Sequence, residues 1–572
     1  MTDRRTAVNP LAPTNDAAHH AWEELVTSAL LGTDRRPPTG LAAPTDDATP
    51  DTGTGTGKAT ATGAGTGTGT GAETARALLD AAALHAVRRR AGLRPGAAAP
   101  LPEPSPEDPR RPLPDAARKR LDHLLAGRAA PSPAGRRGAA PDLTELLPQW
   151  LALANERGYK APPSALPALL DAARARTDLR PQALRFAGPR GLWLAGFNPE
   201  WRFALRGAGG RLPAPEDAEA VGALWDEGLF AERVALLVSL RTEDPAAGLA
   251  LLASTWSAER AEDRLMFVDS LRTGLSDADE EFLEATLADR SRNVRSIAAE
   301  LLSALPGSAL AGRMAGRAAT CVGLDRTADE PAVTVEAPHE CDASMQRDGI
   351  VPTPPTGRGE RSWWLGQLVE AAPLSCWPAR FGGRTPEEIV ALPVTDDWQD
   401  ELHAAWCRAA VRQRDAAWSR ALLGDPAAPP ATGPGTSSLA ERAQLLATIP
   451  ADERARWVAA FVAAHGLSEA FQLLGVCAVP WARPLGAAVI DALDFARDAG
   501  SYPWSFSGVM GLAERCLDPE AAAGLDSLTA VPEEEQDAVP GAGGYWAEAF
   551  QRLVSTLRLR AAMRAELGEA SG

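Results

Sequence analysis

At 572 residues and 45% apolar content, the chain is long enough for two or more domains, each with a core of its own. Strand formers are scarce and alanine is abundant, which favours helices. The net charge of −17 is uneven: residues 1–140 hold 18 basic and 15 acidic residues, the remainder 40 and 60. An acidic body repels phosphate, so broad nucleic-acid binding is disfavoured there.

Lys58, Lys119 and Lys160 are the only lysines among 58 basic residues, the bias of a GC-rich bacterial genome. Cys321, Cys341, Cys376, Cys407, Cys477 and Cys516 form no C-x-x-C pair. With no apolar leader after Met1, the expectation is a reduced, cytoplasmic chain. No apolar run approaches roughly 18 residues, so no membrane-spanning helix is expected.

Residues 1–36 hold a motif helix. Trp22, Leu25, Val26, Ala29 and Leu30 make its apolar stripe, and Gly32 stops it. It reads as a short docking helix or as a recognition motif for a protein partner, with Trp22, Leu25, Leu30, Leu31, Gly32, Thr33 and Arg35 as the contact residues. Residues 37–72 are a Thr/Gly linker. Its Gly53-Thr-Gly-Thr-Gly57-Lys58-Ala59 is no phosphate loop, because that pattern needs glycine at Thr52 and a hydroxyl at Ala59. Residues 73–141 alternate short helices with Pro/Arg-rich breaks. Their basic clusters lack interleaved aromatics and read as solvated helix ends.

From 142 onward the character changes: 15 of the 16 tryptophans follow. Residues 142–315 read as a helical-repeat domain. Within it, Arg190–Arg202 carries Gly, Pro and aromatics, and reads as a non-helical crossing that packs Trp193 and Trp201 into the core. Stripes of Phe230, Val234, Leu237, Val238 and of Leu249, Leu252, Ala253, Trp256 follow, with Asp244-Pro245 at a helix start. The most regular phrase runs from Ser276 to Leu302: acids open one short helix, a turn spans Asp289–Asn293, and Val294, Ile297, Ala298, Leu301 and Leu302 stripe the next. Residues 316–360 read as loop, 361–423 as a helical block ending in a long helix over 396–423, 424–437 as a linker, and 438–572 as a C-terminal helical block with breaks at Pro480 and Pro484.

Catalytic signatures are sparse. His403 and Cys407 stand four apart on a helix, a spacing that suits a metal, but no second pair accompanies them. A helix residue beside a buried thiol is the simpler reading. His339-Glu-Cys341 offers two loop ligands and no more. There is no G-x-S-x-G, H-E-x-x-H or dinucleotide fingerprint. Asp279/Glu280 and Asp396/Asp397 open predicted helices, where they suit the dipole. No cofactor and no metal is expected. The tryptophans fall mostly on apolar stripes, as core residues do.

Two resemblances follow from these residues. Asp289-x4-Val294-Arg295-x2-Ala298-x2-Leu301-Leu302 looks like a HEAT-type repeat. That resemblance implies structural roles for Asp289, Val294 and Arg295, with the aspartate and arginine bonding between neighbouring repeats. The segment Trp22–Arg35, the Glu280–Leu302 phrase and Leu305-Pro-Gly-Ser-x2-Ala-x-Arg313-Met314 resemble the bacterial domain-of-unknown-function 5691 family. Its members are typically encoded beside a SWIM zinc-finger protein, a MoxR-type AAA+ ATPase and a von Willebrand A-domain protein, which implies a partner of that kind and no catalytic residues.

The expected fold is all-α, a HEAT/armadillo-like helical-repeat body with low-complexity N-terminal linkers. The expected function is a non-enzymatic adaptor for protein partners. A nucleic-acid-binding repeat protein is the first rival and would rely on Arg290, Arg292, Arg295 and Arg313. A hydrolase is the second, and requires a cleft where carboxylates or His403 converge.

Overall fold

The computed structural model describes residues 13–33, 70–91, 102–127, 140–207, 217–327, 330–428, 438–531 and 542–568. Contacts divide the chain into two units, Met1–Pro104 and Ser105–Gly572. The first contains α1 (Pro13–Leu31) and α2 (Thr70–Ala91), which pack on each other. Leu25, Ser28 and Leu78 are buried. Gly32 ends α1 at φ 86°, a left-handed conformation that glycine adopts without a Cβ penalty. Most of the expected Thr/Gly linker lies outside the described residues, and α2 begins at Thr70.

The second unit opens with β1 (Arg111–Pro112), α3 (Asp115–Gly127), α4 (Leu143–Glu156), β2 (Tyr159–Lys160), α5 (Leu166–Ala175), α6 (Arg180–Phe197) and α7 (Arg202–Gly207); β1 and β2 pair in parallel. Leu121, Trp150, Leu151, Leu169 and Phe186 share a core with Met563 and Leu567 from the last helix of the chain. Arg120 grips Glu566 through Nε and Nη2 (3.1 and 2.6 Å), and the Tyr159 hydroxyl donates to the Leu567 carbonyl at 2.7 Å. The expected non-helical crossing at Arg190–Arg202 is instead largely helical. Proline at 189 cannot donate to a continuing helix, so the chain breaks at Gly188 (φ 60°) and restarts with Pro189. Any Cβ at Gly188 would sit 2.2 Å from Arg110 Nη2. Trp193 and Trp201 are only half-buried, and the Trp201 indole donates to Asp171 at 3.0 Å.

After α8 (Ala218–Glu227) come three helix pairs: α9 (Phe230–Glu243) with α10 (Pro245–Thr255), α11 (Ala261–Ser270) with α12 (Glu280–Thr286), and α13 (Arg292–Ser303) with α14 (Ala309–Cys321). The N-caps of the first helices are Leu229, Arg260 and Ser291, each 31 residues after the last. Those preceding the second helices are Asp244, Ser276 and Ser308, each 32 apart. Helix α9 packs on α10 and α11, α11 on α13, and α13 on α12 and α14. The buried sets Leu237, Val268, Ala299 and Leu240, Leu271, Leu302 keep the 31-residue register.

Polar bonds also follow that register. The Arg233 guanidinium lies 4.4 Å over the Trp225 ring and pairs with Glu259. Thirty-one residues on, Arg264 lies 5.5 Å over Trp256 and pairs with Asp289 at 3.2 Å. Stacking on an aromatic face suits a desolvated guanidinium. Arg241, 1% exposed, donates to the carbonyls of Pro245 (2.7 Å), Thr273 (2.9 Å) and Gly274 (2.9 Å) and grips both oxygens of Asp279 at 2.8 Å. It joins the end of α9 to the start of α12. Two glycines admit it: a Cβ at Gly248 would sit 2.9 Å from Arg241 Cδ, and one at Gly274 (φ 65°) 2.5 Å from its carbonyl.

Beyond α14 the expectation of a purely helical chain fails locally. The segment expected as loop over 316–360 completes α14 and forms an antiparallel hairpin, β3 (Val322–Asp325) with β4 (Ala332–Val335), then α15 (Ala343–Arg347). Val322 and Val333 are both fully buried, the β-branched residues of a short two-stranded ribbon. Then follow α16 (Glu360–Ala371), α17 (Cys376–Arg380), α18 (Pro386–Val390), α19 (Gln399–Gln413), α20 (Ala416–Leu423), α21 (Leu439–Thr448), α22 (Ala451–Leu474), α23 (Arg483–Asp498), α24 (Ser507–Cys516) and α25 (Ala542–Leu567). The expected long helix over 396–423 is two helices. Arg414 turns left-handed (φ 52°), and Asp415 then caps α20 through the N–H groups of Ala417 and Trp418.

Helix α22 is 24 residues long, and an 18-residue stretch of it has a mean hydropathy of 1.2, which passes for a membrane span by length and composition only, as core helices also do. It bends at Gly466 (φ 83°) and places Val458, Phe461, Val462 and Leu473 in a core that runs from Val221 to Leu557.

Replacing Arg241 with alanine strands the Asp279 carboxylate in the interior, and should cost about 3–5 kcal/mol in chemical unfolding. Asp279→Ala should cost a similar amount, and the double variant clearly less than the sum, which a double-mutant cycle measures.

Candidate functional site

The expected partner-binding residues divide sharply by exposure. Leu25 is buried and Trp22 half-buried on the packed side of α1. Leu30 and Leu31 are 81% and 52% exposed, and Val26 joins them at the surface. Gly32 is exposed and Thr33 half-buried; Arg35 lies outside the described residues. Large aliphatic side chains held open on an ordered helix are candidates for a contact surface.

Asp289, Val294 and Arg295 meet at the turn between α12 and α13. Val294 is fully buried, and Asp289 accepts the Ser291 N–H at 2.7 Å. Arg295 donates to the carbonyls of Asp289 (2.7 Å) and Arg290 (3.2 Å), bracing its own turn. The bond from Asp289 to the preceding pair is made by Arg264. Arg264 went unremarked in the sequence, although its 31-residue spacing from Arg233 and Arg295 would have revealed it.

The hydrolase reading can be tested against a cavity of about 280 Å³ that brings together Arg317, Thr320, Cys321, Glu336, His339 and Asp342. Burial pushes the Cys321 thiol up, and Thr320 Oγ1 lies 3.9 Å from its sulfur. His339 is exposed and sits 3.4 Å from Glu336. A cysteine nucleophile requires a lowered pKa and a base in reach, and this thiol has been moved the other way. Cys341 is likewise pushed up by burial.

Among the described residues, each carboxylate that departs from its ordinary range is lowered. Burial opposes ionisation of Glu259, yet hydrogen bonds from Arg233 and Thr255 prevail. Burial likewise opposes ionisation of Asp348, whose side chain is fully enclosed, yet Arg313 and Arg317 hold its carboxyl below the usual range. Arg313 also grips Glu284 (3.1 Å), so Arg313 links α12, α14 and the turn after α15. None of these acids is poised to donate a proton at neutral pH.

His403 and Cys407 both lie on α19. The imidazole stacks on Trp406 with centroids 5.7 Å apart, and Trp377, Phe381 and Trp418 surround that indole. Burial pushes the His403 pKa down, partly offset by Asp400. Cys407 is buried. Among the described residues no three His, Cys, Asp or Glu side chains gather as a metal would need.

These features define a predominantly helical protein in which paired helices are tied by arginine–carboxylate bonds. The chain belongs to the family of unknown function DUF5691, whose model matches residues 24–567. No curated protein and no solved structure matches it.

Because the folded His403 pKa is lowered, the unfolded chain binds the extra proton first. The stability from keeping the ring neutral is therefore present above the ordinary value near 6.5 and is lost as pH falls from there toward the folded value. His403→Gln should flatten that slope, which is at most ~1.4 kcal/mol per pH unit, in unfolding curves taken between pH 7 and 5. Cys376 and Cys477, both pushed up to about 11 by burial, should react with iodoacetamide far more slowly in the folded protein than after denaturation.

Proposed function

We propose that the protein is a non-enzymatic adaptor of the HEAT/armadillo-like helical-repeat kind, acting on protein partners. The α1 surface carries this reading. An ordered helix that buries Leu25 and Ser28 while exposing Leu30 and Leu31 has a face suited to being covered. The three helix pairs in a 31-residue register, with alternate helices in contact, support the repeat architecture. The partners proposed are a MoxR-type AAA+ ATPase, a von Willebrand A-domain protein or a SWIM zinc-finger protein, met in the cytoplasm.

The nucleic-acid alternative is weakened by where its arginines point. Arg295 is spent on the carbonyls of its own turn and Arg313 on Glu284 and Asp348. Arg290 and Arg292 remain exposed, too few for a phosphate-tracking surface on an acidic body.

Leu30→Asp with Leu31→Asp should reduce co-purification of the ATPase at least about tenfold, the loss expected when two apolar anchors are replaced by charges, and leave the thermal melt unchanged. Equal recovery with the variant would remove α1 as the contact. Recovery of none of the three partners with the wild-type chain would overturn the adaptor reading in this form.

A further inference from the structure

Aromatic rings of this chain are repeatedly covered by its own arginines, and a carboxylate then holds the guanidinium in place. Arg233 lies 4.4 Å over Trp225 and pairs with Glu259. Arg264 lies 5.5 Å over Trp256 and pairs with Asp289, and Arg358 lies 5.5 Å over Trp363 and pairs with Glu401. Each is the same three-part device: the ring face attracts the cation, and the acid accepts from its N–H fork.

At the start of α25 the ring and the acid are present without the arginine. Tyr545 and Glu548 stand three residues apart on one helix face. Both line a cavity of about 510 Å³, together with Thr529, Val531, Gly544 and Gln551. Buried Trp546 anchors this end of the helix by donating to the Ser501 carbonyl at 2.6 Å, and Tyr545 meets Trp504 edge-on, 5.5 Å between centroids. Trp504 stacks in turn on Tyr502 at 4.1 Å. Tyr545 and Trp504 remain 52% and 56% exposed. Glu548 is exposed and has no hydrogen bond or ion pair among the described residues. The cavity wall carries no basic side chain, and the next arginines along α25, Arg552 and Arg558, hold Glu514 and Asp526.

We infer that this cavity is a binding site for an external guanidinium group, carried by the arginine of a protein partner or by a free guanidinium compound. The cation lies on the Tyr545 ring, and its N–H fork donates to the Glu548 carboxylate, as the chain's own arginines do elsewhere. Gln551 donates to Ser555 through Nε2 at 3.3 Å, which leaves its side-chain oxygen to accept a further N–H. Exposed Val531 offers apolar contact to the aliphatic stem. Gly544 keeps the wall open, since a Cβ there would meet nothing within 4 Å. An anionic ligand would face Glu548 with no cation on the wall to offset it. The site uses no residue of α1, so this inference and the α1 reading can fail independently.

The test is a saturation-transfer NMR titration of the full chain with a capped alanine–arginine–alanine peptide. Its companions are the same peptide with citrulline, the neutral isostere, in place of arginine, and free acetyl-arginine amide. Saturable binding of the arginine peptide is expected, weakening as salt rises, with citrulline at least about tenfold weaker. Glu548→Gln should weaken arginine binding about tenfold and Tyr545→Leu about threefold, whereas Leu30→Asp with Leu31→Asp should leave it unchanged. Tighter binding of the peptide than of acetyl-arginine amide supports the site and assigns a protein partner; equal binding supports it and assigns a small guanidinium compound. Both substituted side chains are exposed, so circular dichroism should report unaltered folding. No binding of either arginine compound, equal binding of the citrulline peptide, or binding indifferent to the substitutions at 545 and 548 would overturn the assignment.

Discussion

The stretch from α9 to α12 depends on a single buried charge pair, Arg241 with Asp279. Both side chains are only 1% exposed, so neither can recover hydration if its partner is lost. Burying two charges is costly in itself, and mutual attraction alone does not always compensate. Here the guanidinium also satisfies the carbonyls of Pro245, Thr273 and Gly274, while Asp279 accepts the Ser276 N–H at 3.0 Å. One residue therefore fixes where α9 ends, how the α11–α12 connection runs and where α12 begins. The glycines at 248 and 274 are consequences of that arrangement, since a Cβ at either position would collide with Arg241.

Much of this frame was legible in the sequence because it is written in short-range chemistry. Asp244-Pro245 reads as a cap and first turn, and it is one. Of the stripe from Val294 to Leu302, Val294, Ala298, Leu301 and Leu302 are enclosed and Ile297 is half-buried. Arg241 itself was illegible: among so many arginines, nothing local separates a buried one from a solvated one. Its partner is 38 residues away, and only the packing of one pair on the next brings them together. The misreadings elsewhere have similar causes. Gly188-Pro189 breaks a helix and restarts it at once, a behaviour that Gly and Pro share with loops. Val322 and Val333 make a two-stranded ribbon too short to show alternation.

The candidate contact surfaces were legible to different degrees. The apolar stripe of α1 could be read, but which leucines it buries could not, because that depends on α2 and its Leu78. The open side of α9 was not legible, because every apolar residue on a stripe reads as core. Phe230, Val234, Leu237 and Val238 fall on one stripe, yet Leu237 is fully buried while Val238 and Phe230 are open. A helix in contact with neighbours on only one side cannot bury an arc that wide. Burial pushes the Cys321, Cys376 and Cys477 thiols up, which suppresses the thiolate on which reactivity depends.

The register also explains where the helix pairs stop. Arg233 reaches Glu259 and Arg264 reaches Asp289, each about one unit forward. The equivalent reach from Arg295 arrives at Thr320 and Cys321, where no carboxylate stands, and Arg295 folds back onto its own turn instead. At that point the chain leaves the helical pattern for the β3–β4 hairpin. A different bond closes the end: Asp348, from beyond the hairpin, returns to take Arg313 and Arg317 of α14. With no further helix pair in the 31-residue register after α14, its arginines take their acid from elsewhere. Here the missing acid at 320 and the supplied acid at 348 are the two halves of that solution, and the hairpin is the connection that brings the second within reach.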